Sequence, residues 1–87
     1  MLFLGIWTYE PSQRDKAIQR RAEKGTGFGA GAKVMSEWSD LAGGRGFVVV
    51  EADDATPILE GILAWSDILE TEIIPIVDTN EVLKMAK

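Results

Sequence analysis

The chain has 87 residues, 46% hydrophobic and 26% charged, a composition typical of one small folded domain rather than of a disordered or fibrous protein. It contains neither cysteine nor histidine, which excludes disulfides, zinc–thiolate centres, cysteine nucleophiles and histidine general bases. The 9 basic and 14 acidic residues give a net charge of −5, which disfavours binding to nucleic acid.

The first half of the sequence predicts a strand, a helix and a hairpin. Residues 1–8 form an apolar run of strand formers, and residues 13–24 are good helix formers that end at a glycine. Two further apolar runs, at residues 32–39 and 46–52, predict the second and third strands. Between them, Gly43-Gly44 is typical of a tight two-residue hairpin turn.

The amino-terminal apolar run has neither the basic leader of a signal peptide nor the length of a membrane span. We therefore expect a cytoplasmic protein with no membrane partner.

The second half predicts a helix, a strand and a short closing helix. Asp53, Asp54 and Thr56 are suitable capping residues for the helix, and apolar side chains follow at helical spacing. Residues 71–77 predict the fourth strand, and residues 79–86 predict the closing helix.

This order of elements predicts a single domain over residues 1–87 with an α+β, ferredoxin-like βαββαβ fold. Its four-stranded antiparallel sheet would have the order 4-1-3-2, with both main helices on one face. The central first and third strands are apolar on both faces, and Pro75 falls in an edge strand. Because the helices cover only one face, we expect the other face to pack on a second copy in a homodimer.

Four segments, IWTYEP, EWSDLAGGRGF, VEADD and AWSD, occur in this order over nearly the whole chain. With them the chain resembles a family of small prokaryotic domains of unknown function, a branch of the dimeric α+β barrel superfamily. The resemblance implies the fold and the homodimer. Relatives in that superfamily include cofactor-independent monooxygenases, isomerases and ligand-binding proteins, so fold analogy does not choose an activity. Position 21, where the family is expected to have an apolar residue, is Arg21 here.

The predicted topology brings the three tryptophans to one end of the sheet. If Gly43-Gly44 is the hairpin turn, Trp38 pairs with Val49 and Ser36 pairs with Glu51, and these residues share one face with Phe47.

Aromatic walls beside a cation are typical of a pocket for a small planar or weakly acidic molecule. The predicted ligand-binding residues are Trp7, Trp38, Arg45 and Trp65. If the site is instead that of a cofactor-independent isomerase or monooxygenase, Tyr9, Glu51 or Asp67 would act as acid or base. The sequence leaves a third reading open, in which the tryptophans are core or dimer contacts, Arg45 pairs with Asp40 and the chain is an interaction module without a ligand.

Other kinds of site have less support in the sequence. RGFVVVEA, at residues 45–52, has only Phe47 at the base-stacking positions of the RNA-recognition consensus. Glu51, Asp53 and Asp54 are better explained by capping and the helix dipole than by a cation site. No phosphate-loop, zinc-binding or nucleophile-elbow spacing occurs, so we predict no cofactor and no metal.

Residues 25–31 read GTGFGAG, but this segment follows a helix and leads into a strand, the reverse of a phosphate-binding loop. It is interpreted as a mobile connection at the sheet end away from the tryptophans, acting as a flap or as a dimer contact through Phe28. Arg14 and Arg21 fall on the helix face that should pack on the sheet. They are expected either to extend past a thin apolar stripe or to bring positive charge to an internal or interfacial site.

Overall fold

The elements follow one another in the predicted order in a computed structural model that describes residues 1–86. They are β1 (Leu2–Thr8), a 3-10 turn (Pro11–Gln13), α1 (Arg14–Lys24), β2 (Ala32–Ser39), β3 (Arg45–Ala52), α2 (Thr56–Trp65), β4 (Glu70–Ile76) and α3 (Thr79–Met85). Apolar runs and helix-stop glycines predict each element to within a few residues. The first helix begins one residue later than predicted, because Pro11 opens a 3-10 turn before it.

The four strands form one antiparallel sheet in the order β2-β3-β1-β4, which confirms the predicted order and ferredoxin-like architecture. Pro75 lies on the edge strand β4, opposite Phe3. Val48 and Val50, each 1% exposed, form the centre of the core with Ala52 and Ile58. The central strand β3 therefore supplies three of the four residues of this cluster, as its apolar sequence predicts.

The β2–β3 hairpin has a longer turn than predicted. Its last pair joins Asp40 to Arg45, whose carbonyl accepts a hydrogen bond from the Asp40 amide at 2.9 Å. The turn therefore contains four residues, and Gly43 and Gly44 occupy its positive-φ positions, with φ of 85° and 90°. The predicted pairing is wrong by two residues, since Trp38 faces Phe47 rather than Val49. A slip of two preserves the face of each side chain, so the predicted set still shares a face.

A β-bulge at Met35 interrupts the alternation of β2. Val34 is opposite Val50, whereas Ser36, two residues later, is opposite Val49. Since successive residues of a strand point to opposite faces, the extra residue reverses the face to which each later side chain of β2 points. Glu37 consequently faces the helices, opposite Val48.

The two long helices contribute unequally to the core. Four residues of α2 are buried, whereas Ala17 is the buried residue of α1. The side chain of Asp54 accepts a hydrogen bond from the Thr56 amide at 2.8 Å, a local turn just before α2, while the N-cap position is occupied by Ala55 and has no side-chain cap. Because α1 is polar along most of its length, it covers the sheet loosely and leaves space beneath it.

The glycine-rich connection packs along α2, and its role as a flap or as a dimer contact stays a prediction. Phe28 lies against Trp7, with ring centroids 5.9 Å apart, and joins the core. The indole nitrogen of Trp65 donates to the carbonyl of Thr26 at 2.8 Å. The Gly29 amide donates to the carbonyl of Pro57 at 3.1 Å. The connection therefore fills the gap between the helices, and it lies beside a tryptophan rather than at the far end of the sheet.

Candidate functional site

A cavity of about 350 Å³ lies between α1 and the helix-facing side of the sheet. Its floor is the end of the sheet where β1 leaves and β3 begins, and its roof is the polar helix α1. The residues that line it come from β1, α1, β2, β3, the end of α2 and the segments that follow β1 and α2: Trp7, Tyr9, Ala17, Ile18, Arg21, Ala22, Glu37, Ser39, Arg45, Gly46, Trp65 and Leu69. The cavity is thus a direct result of the sparse apolar packing of α1.

Two tryptophans form the aromatic wall of the cavity. The rings of Trp7 and Trp65 have centroids 6.4 Å apart and planes inclined at 54°, a tilted arrangement typical of stable aromatic pairs. Trp65 is 5% exposed, and its hydrogen bond to Thr26 fixes the ring. Gly46, opposite Trp7 in the sheet, has no side chain to fill the space next to this wall.

The opposite wall carries a bidentate ion pair between α1 and β2. Nε of Arg21 donates to Oε2 of Glu37 at 2.9 Å, and Nη2 donates to Oε1 at 2.7 Å. The hydrogen bonds to Glu37 raise the pKa of Arg21. Both side chains are a little under half exposed, so the pair stands at the boundary between the cavity and solvent.

Arg45 lies at the edge of the cavity and is also paired. Its Nε donates to Oδ2 of Asp40 at 3.1 Å, and its guanidinium carbon lies 5.5 Å from the centre of the Phe47 ring. Because Phe47 faces away from the helices, the charge of Arg45 lies on the other side of the sheet from the cavity. The Ala42 amide and Arg45 together lower the pKa of Asp40. Arg45 therefore has the acidic partner that the sequence left open as an alternative to a ligand anion.

The structure brings together three of the four predicted ligand-binding residues. Trp7, Arg45 and Trp65 line the cavity, but Trp38 is opposite Phe47 on the other face of the sheet and is 65% exposed. The expectation that all three tryptophans converge on one site is therefore wrong. Trp7 is paired with Gly46 and Trp38 with its neighbour Phe47, and adjacent residues of a strand point to opposite faces.

The three candidate acid–base residues lie in different places. Tyr9 lines the cavity. Glu51 is an exposed residue at the far end of β3, opposite Leu2 and Lys33. Asp67 follows α2, where both of its oxygens accept hydrogen bonds from Arg20 at 2.7 Å. Of the three, Tyr9 alone could touch a molecule in this cavity.

The ion pair of Asp67 joins the two helices. Arg20 also donates to the carbonyl of Ala64 at 3.2 Å, and its guanidinium carbon lies 5.3 Å from the centre of the Trp65 ring. The hydrogen bonds from Arg20 lower the pKa of Asp67 to about 2, so this carboxylate is a poor base. Asp67 thus pairs with α1 at the end of α2 and does not line the cavity under α1.

Sequence reasoning missed Glu37 as a residue of the cavity. Strict alternation along β2 places Glu37 away from Val34 and Ser36, and the bulge at Met35 reverses this. One signal was available, since Arg21 was expected on the face of α1 that packs on the sheet, where a facing carboxylate can pair with it. Arg21 reaches Glu37 with 45% of its side chain exposed, which fits the expectation that it extends past the apolar stripe, whereas Arg14 pairs with its exposed neighbour Asp15.

Among residues 1–86, no group of three or more acidic side chains is placed to hold a metal ion. Within the same residues, none of the helices has the length and apolar character needed to cross a membrane.

The fold and the cavity define an α+β domain of ferredoxin-like architecture with an aromatic cavity under its first helix. The chain belongs to the family described as Domain of unknown function (DUF3303), which it matches over residues 1–87. This match confirms the expected membership of a domain-of-unknown-function family, and the dimeric α+β barrel superfamily stays a prediction. No curated protein and no solved structure shows significant similarity to the chain.

Proposed function

We propose that this domain binds a small planar molecule in the cavity under α1. The observation that carries the proposal is the aromatic wall of Trp7 and Trp65 facing the ion pair of α1 and β2 across about 350 Å³. Ligand pockets typically enclose about 300–1,000 Å³ and combine apolar walls with a few polar groups. The cavity has this size and this composition.

The packing of the tryptophans is compatible with a ligand. Trp7 and Trp65 contact one another, but both also line open space rather than filling it. A planar ring would add a third aromatic surface to this pair, and such contacts contribute about 0.5–1.5 kcal/mol beyond area burial. The hydroxyl groups of Tyr9 and Ser39 lie in the same lining and could orient the ring.

We further propose that the domain acts as a homodimer through the sheet face opposite the helices. All four strands contribute apolar side chains to that face: Leu2, Leu4, Ile6, Trp38, Phe47, Val49, Ile74 and Ile76. The charged residues of the same face are Lys33, Arg45, Glu51, Glu70 and Glu72. A large exposed apolar surface usually marks an interface, and a two-fold axis lets the same surface cover itself.

A reaction in the same cavity has less support than binding. A cofactor-independent isomerase or monooxygenase would need an acid or base beside the ligand, and Tyr9 is the one predicted candidate that lines the cavity. Glu51 lies on the opposite face of the sheet, and Asp67 is held by Arg20. Binding without conversion is therefore the function that the geometry supports best.

A screen of planar aromatic compounds followed by tryptophan fluorescence tests the proposal. A Trp38→Phe background removes the emission of the tryptophan on the opposite face, so that the signal comes from Trp7 and Trp65. We expect a saturable change with some of the compounds. We also expect Ala22→Phe, which fills the cavity from α1, to weaken binding at least tenfold.

Ala30→Phe, which adds the same ring at an exposed turn outside the cavity, is the matched control and should bind as the parent does. Equal binding by Ala22→Phe and Ala30→Phe would show that the compounds bind elsewhere. A screen without any saturable change would leave the interaction module without a small ligand as the better reading.

A further inference from the structure

We propose that Glu37 determines the specificity of this cavity, and that the cavity selects an uncharged planar molecule with a carbonyl group over the corresponding carboxylate. The inference rests on the proposed binding function and narrows the chemistry of its ligand. It also replaces the weakly acidic ligand that the arginines alone suggest.

Charge pairing in the lining disfavours an anion. Among the described residues, the cation on the helix side of the cavity is Arg21, which Glu37 holds at 2.7 Å. Arg45 borders the cavity, but its guanidinium is paired with Asp40 at 3.1 Å and lies over Phe47 on the other face of the sheet. A ligand carboxylate would lose its water without gaining an unpaired cation among these described residues, and Glu37 would repel it. Moving a charge out of water costs free energy that only a partner of opposite charge offsets.

The ion pair with Glu37 leaves one nitrogen of Arg21 able to donate a hydrogen bond to an uncharged ligand. Arg21 uses Nε and Nη2 on Glu37, while Nη1 has no acceptor among residues 1–86. A guanidinium carries five N–H donors and no acceptor, so a ligand carbonyl can accept a hydrogen bond from Nη1 without displacing Glu37. The ring of the ligand would then extend toward the aromatic wall formed by Trp7 and Trp65.

Glu37 controls this preference because it alone neutralises Arg21 in the described structure. Replacing Glu37 with glutamine keeps the size and shape of the side chain and removes its charge. The guanidinium of Arg21 would then face the cavity as an unpaired cation, which a ligand carboxylate could engage. The specificity of the cavity should therefore change from the uncharged ligand to the anion.

The experiment compares 2-naphthamide with 2-naphthoate, which differ in charge and share the same ring, by isothermal titration calorimetry. We expect the wild-type chain to bind the amide about fivefold more tightly than the carboxylate, since a half-exposed charge interaction is worth about 1 kcal/mol. In Glu37→Gln the carboxylate should become the tighter ligand. The double variant Arg21→Gln/Glu37→Gln, which has neither charge, should again prefer the amide.

The matched control is Glu23→Gln. It changes the net charge by the same amount on α1, where Glu23 bonds only Gln19 and lies outside the cavity. It should keep the wild-type preference, which separates a local effect at Arg21 from the general loss of negative charge.

Tighter binding of 2-naphthoate than of 2-naphthamide by the wild type would overturn the proposal. An unchanged preference for the amide in Glu37→Gln would also overturn it, as would equal binding of both compounds by the wild type. These outcomes leave the binding function intact, whereas absence of binding to every compound of the aromatic screen would overturn the binding function itself.

Discussion

At Gly61 the ring of Phe28 packs directly against the backbone of α2. A Cβ atom at this position would lie 2.5 Å from Cδ1 and 2.8 Å from Cε1 of Phe28, closer than real carbon atoms approach. Phe28 cannot withdraw freely, because its ring also contacts Trp7. The absence of a side chain at Gly61 is thus what lets the glycine-rich connection lie against α2.

Gly61→Ala should therefore destabilise the fold, although Gly61 is in a helix where alanine is normally better by about 1 kcal/mol. We expect the free energy of unfolding to fall by about 1–3 kcal/mol, the usual cost of overpacking a core. Urea denaturation followed by circular dichroism measures the change.

The double variant Phe28→Leu/Gly61→Ala provides the control, because the smaller, more adaptable side chain leaves room for the new methyl group. Relative to Phe28→Leu alone, the added alanine should be neutral or stabilising. If Gly61→Ala raised the stability of the wild-type chain, the close contact with Phe28 would be refuted.

For single residues, the sequence predicts which end of the sheet a side chain lies at better than which face of the sheet it points to. Trp7, Trp65 and Arg45 were predicted correctly to lie at one end of the sheet, because strand direction and helix length determine that end. The cavity excludes Trp38 and includes Glu37 because of one unpaired residue at Met35. A bulge arises from the pairing of two strands, so it cannot be predicted from the apolar alternation of one strand alone.

The helix α1 is held mainly by two neighbouring arginines that reach in different directions. Arg20 binds Asp67 beyond the end of α2, and Arg21 binds Glu37 on β2. With Ala17 as its buried residue, this helix has little apolar packing to hold it. Its position above the cavity is therefore sensitive to the charge of two carboxylates.

The ion pair of Asp67 should make stability depend on pH in the acid range. Since the pKa of Asp67 is lowered to about 2 from an ordinary value of about 3.9, its contribution is complete above the ordinary value. It is lost as the pH falls toward 2. Asp67→Asn should consequently be less stable than the wild type at pH 6, and the difference should shrink when urea denaturation is repeated at pH 3.

Asp53→Asn is a suitable comparison, because Asp53 is exposed and has no hydrogen-bond partner in the part of the chain that the structure describes. Its stability at pH 6 should be close to that of the wild type, because the substitution removes no ion pair. A difference for Asp67→Asn that does not change between pH 6 and pH 3 would mean that Arg20 and Asp67 do not form a stabilising pair in solution.

Among the elements, strands and long helices could be predicted because each has a periodic apolar pattern or a clear stop residue. The hairpin turn could not, since Gly43-Gly44 suits a two-residue turn and the end of a four-residue turn equally well. The hydrogen bonds of Asp40 decide between them: its amide donates to Arg45, and its carbonyl accepts from Gly43. The position of the glycine-rich connection could not be predicted either, since its glycines have no apolar pattern that shows which element they pack against, and here they pack on α2 beside Trp65.

As a whole, the molecule is thin and incompletely covered. Its principal extents are 49 × 30 × 17 Å and its radius of gyration is 14.1 Å, against about 12 Å for a compact domain of this length. The short dimension corresponds to one layer of helices on one sheet. On the sheet face opposite α1 and α2, Trp38 is 65% exposed, as expected of a layer that packs against a second one.

Trp38→Glu should weaken the proposed homodimer, because Trp38 stands 65% exposed on that face and contributes little to the monomer. Sedimentation velocity should show a dimer for the wild type at micromolar concentration. For the variant we expect the dissociation constant to rise at least tenfold, since an interface tryptophan is often worth about 2 kcal/mol or more.

Leu63→Glu is the matched control, since Leu63 is 64% exposed on α2, on the helix side of the sheet. It should leave the association unchanged. A monomeric wild type, or equal effects of the two substitutions, would contradict dimerisation through the sheet.

The bulge at Met35 also determines where β2 can lose one residue without moving the side chains of the cavity. Val34 and Ser36 already point to opposite faces of the sheet. Loss of Met35 would make them adjacent in the chain, and adjacent residues of a regular strand also point to opposite faces. Every other cross-strand partner of β2 would be kept, with Glu37 in the cavity and Trp38 outside it. A homologue shorter by one residue at this point could therefore keep the same site, whereas the loss of one residue nearer the hairpin would exchange the two side chains.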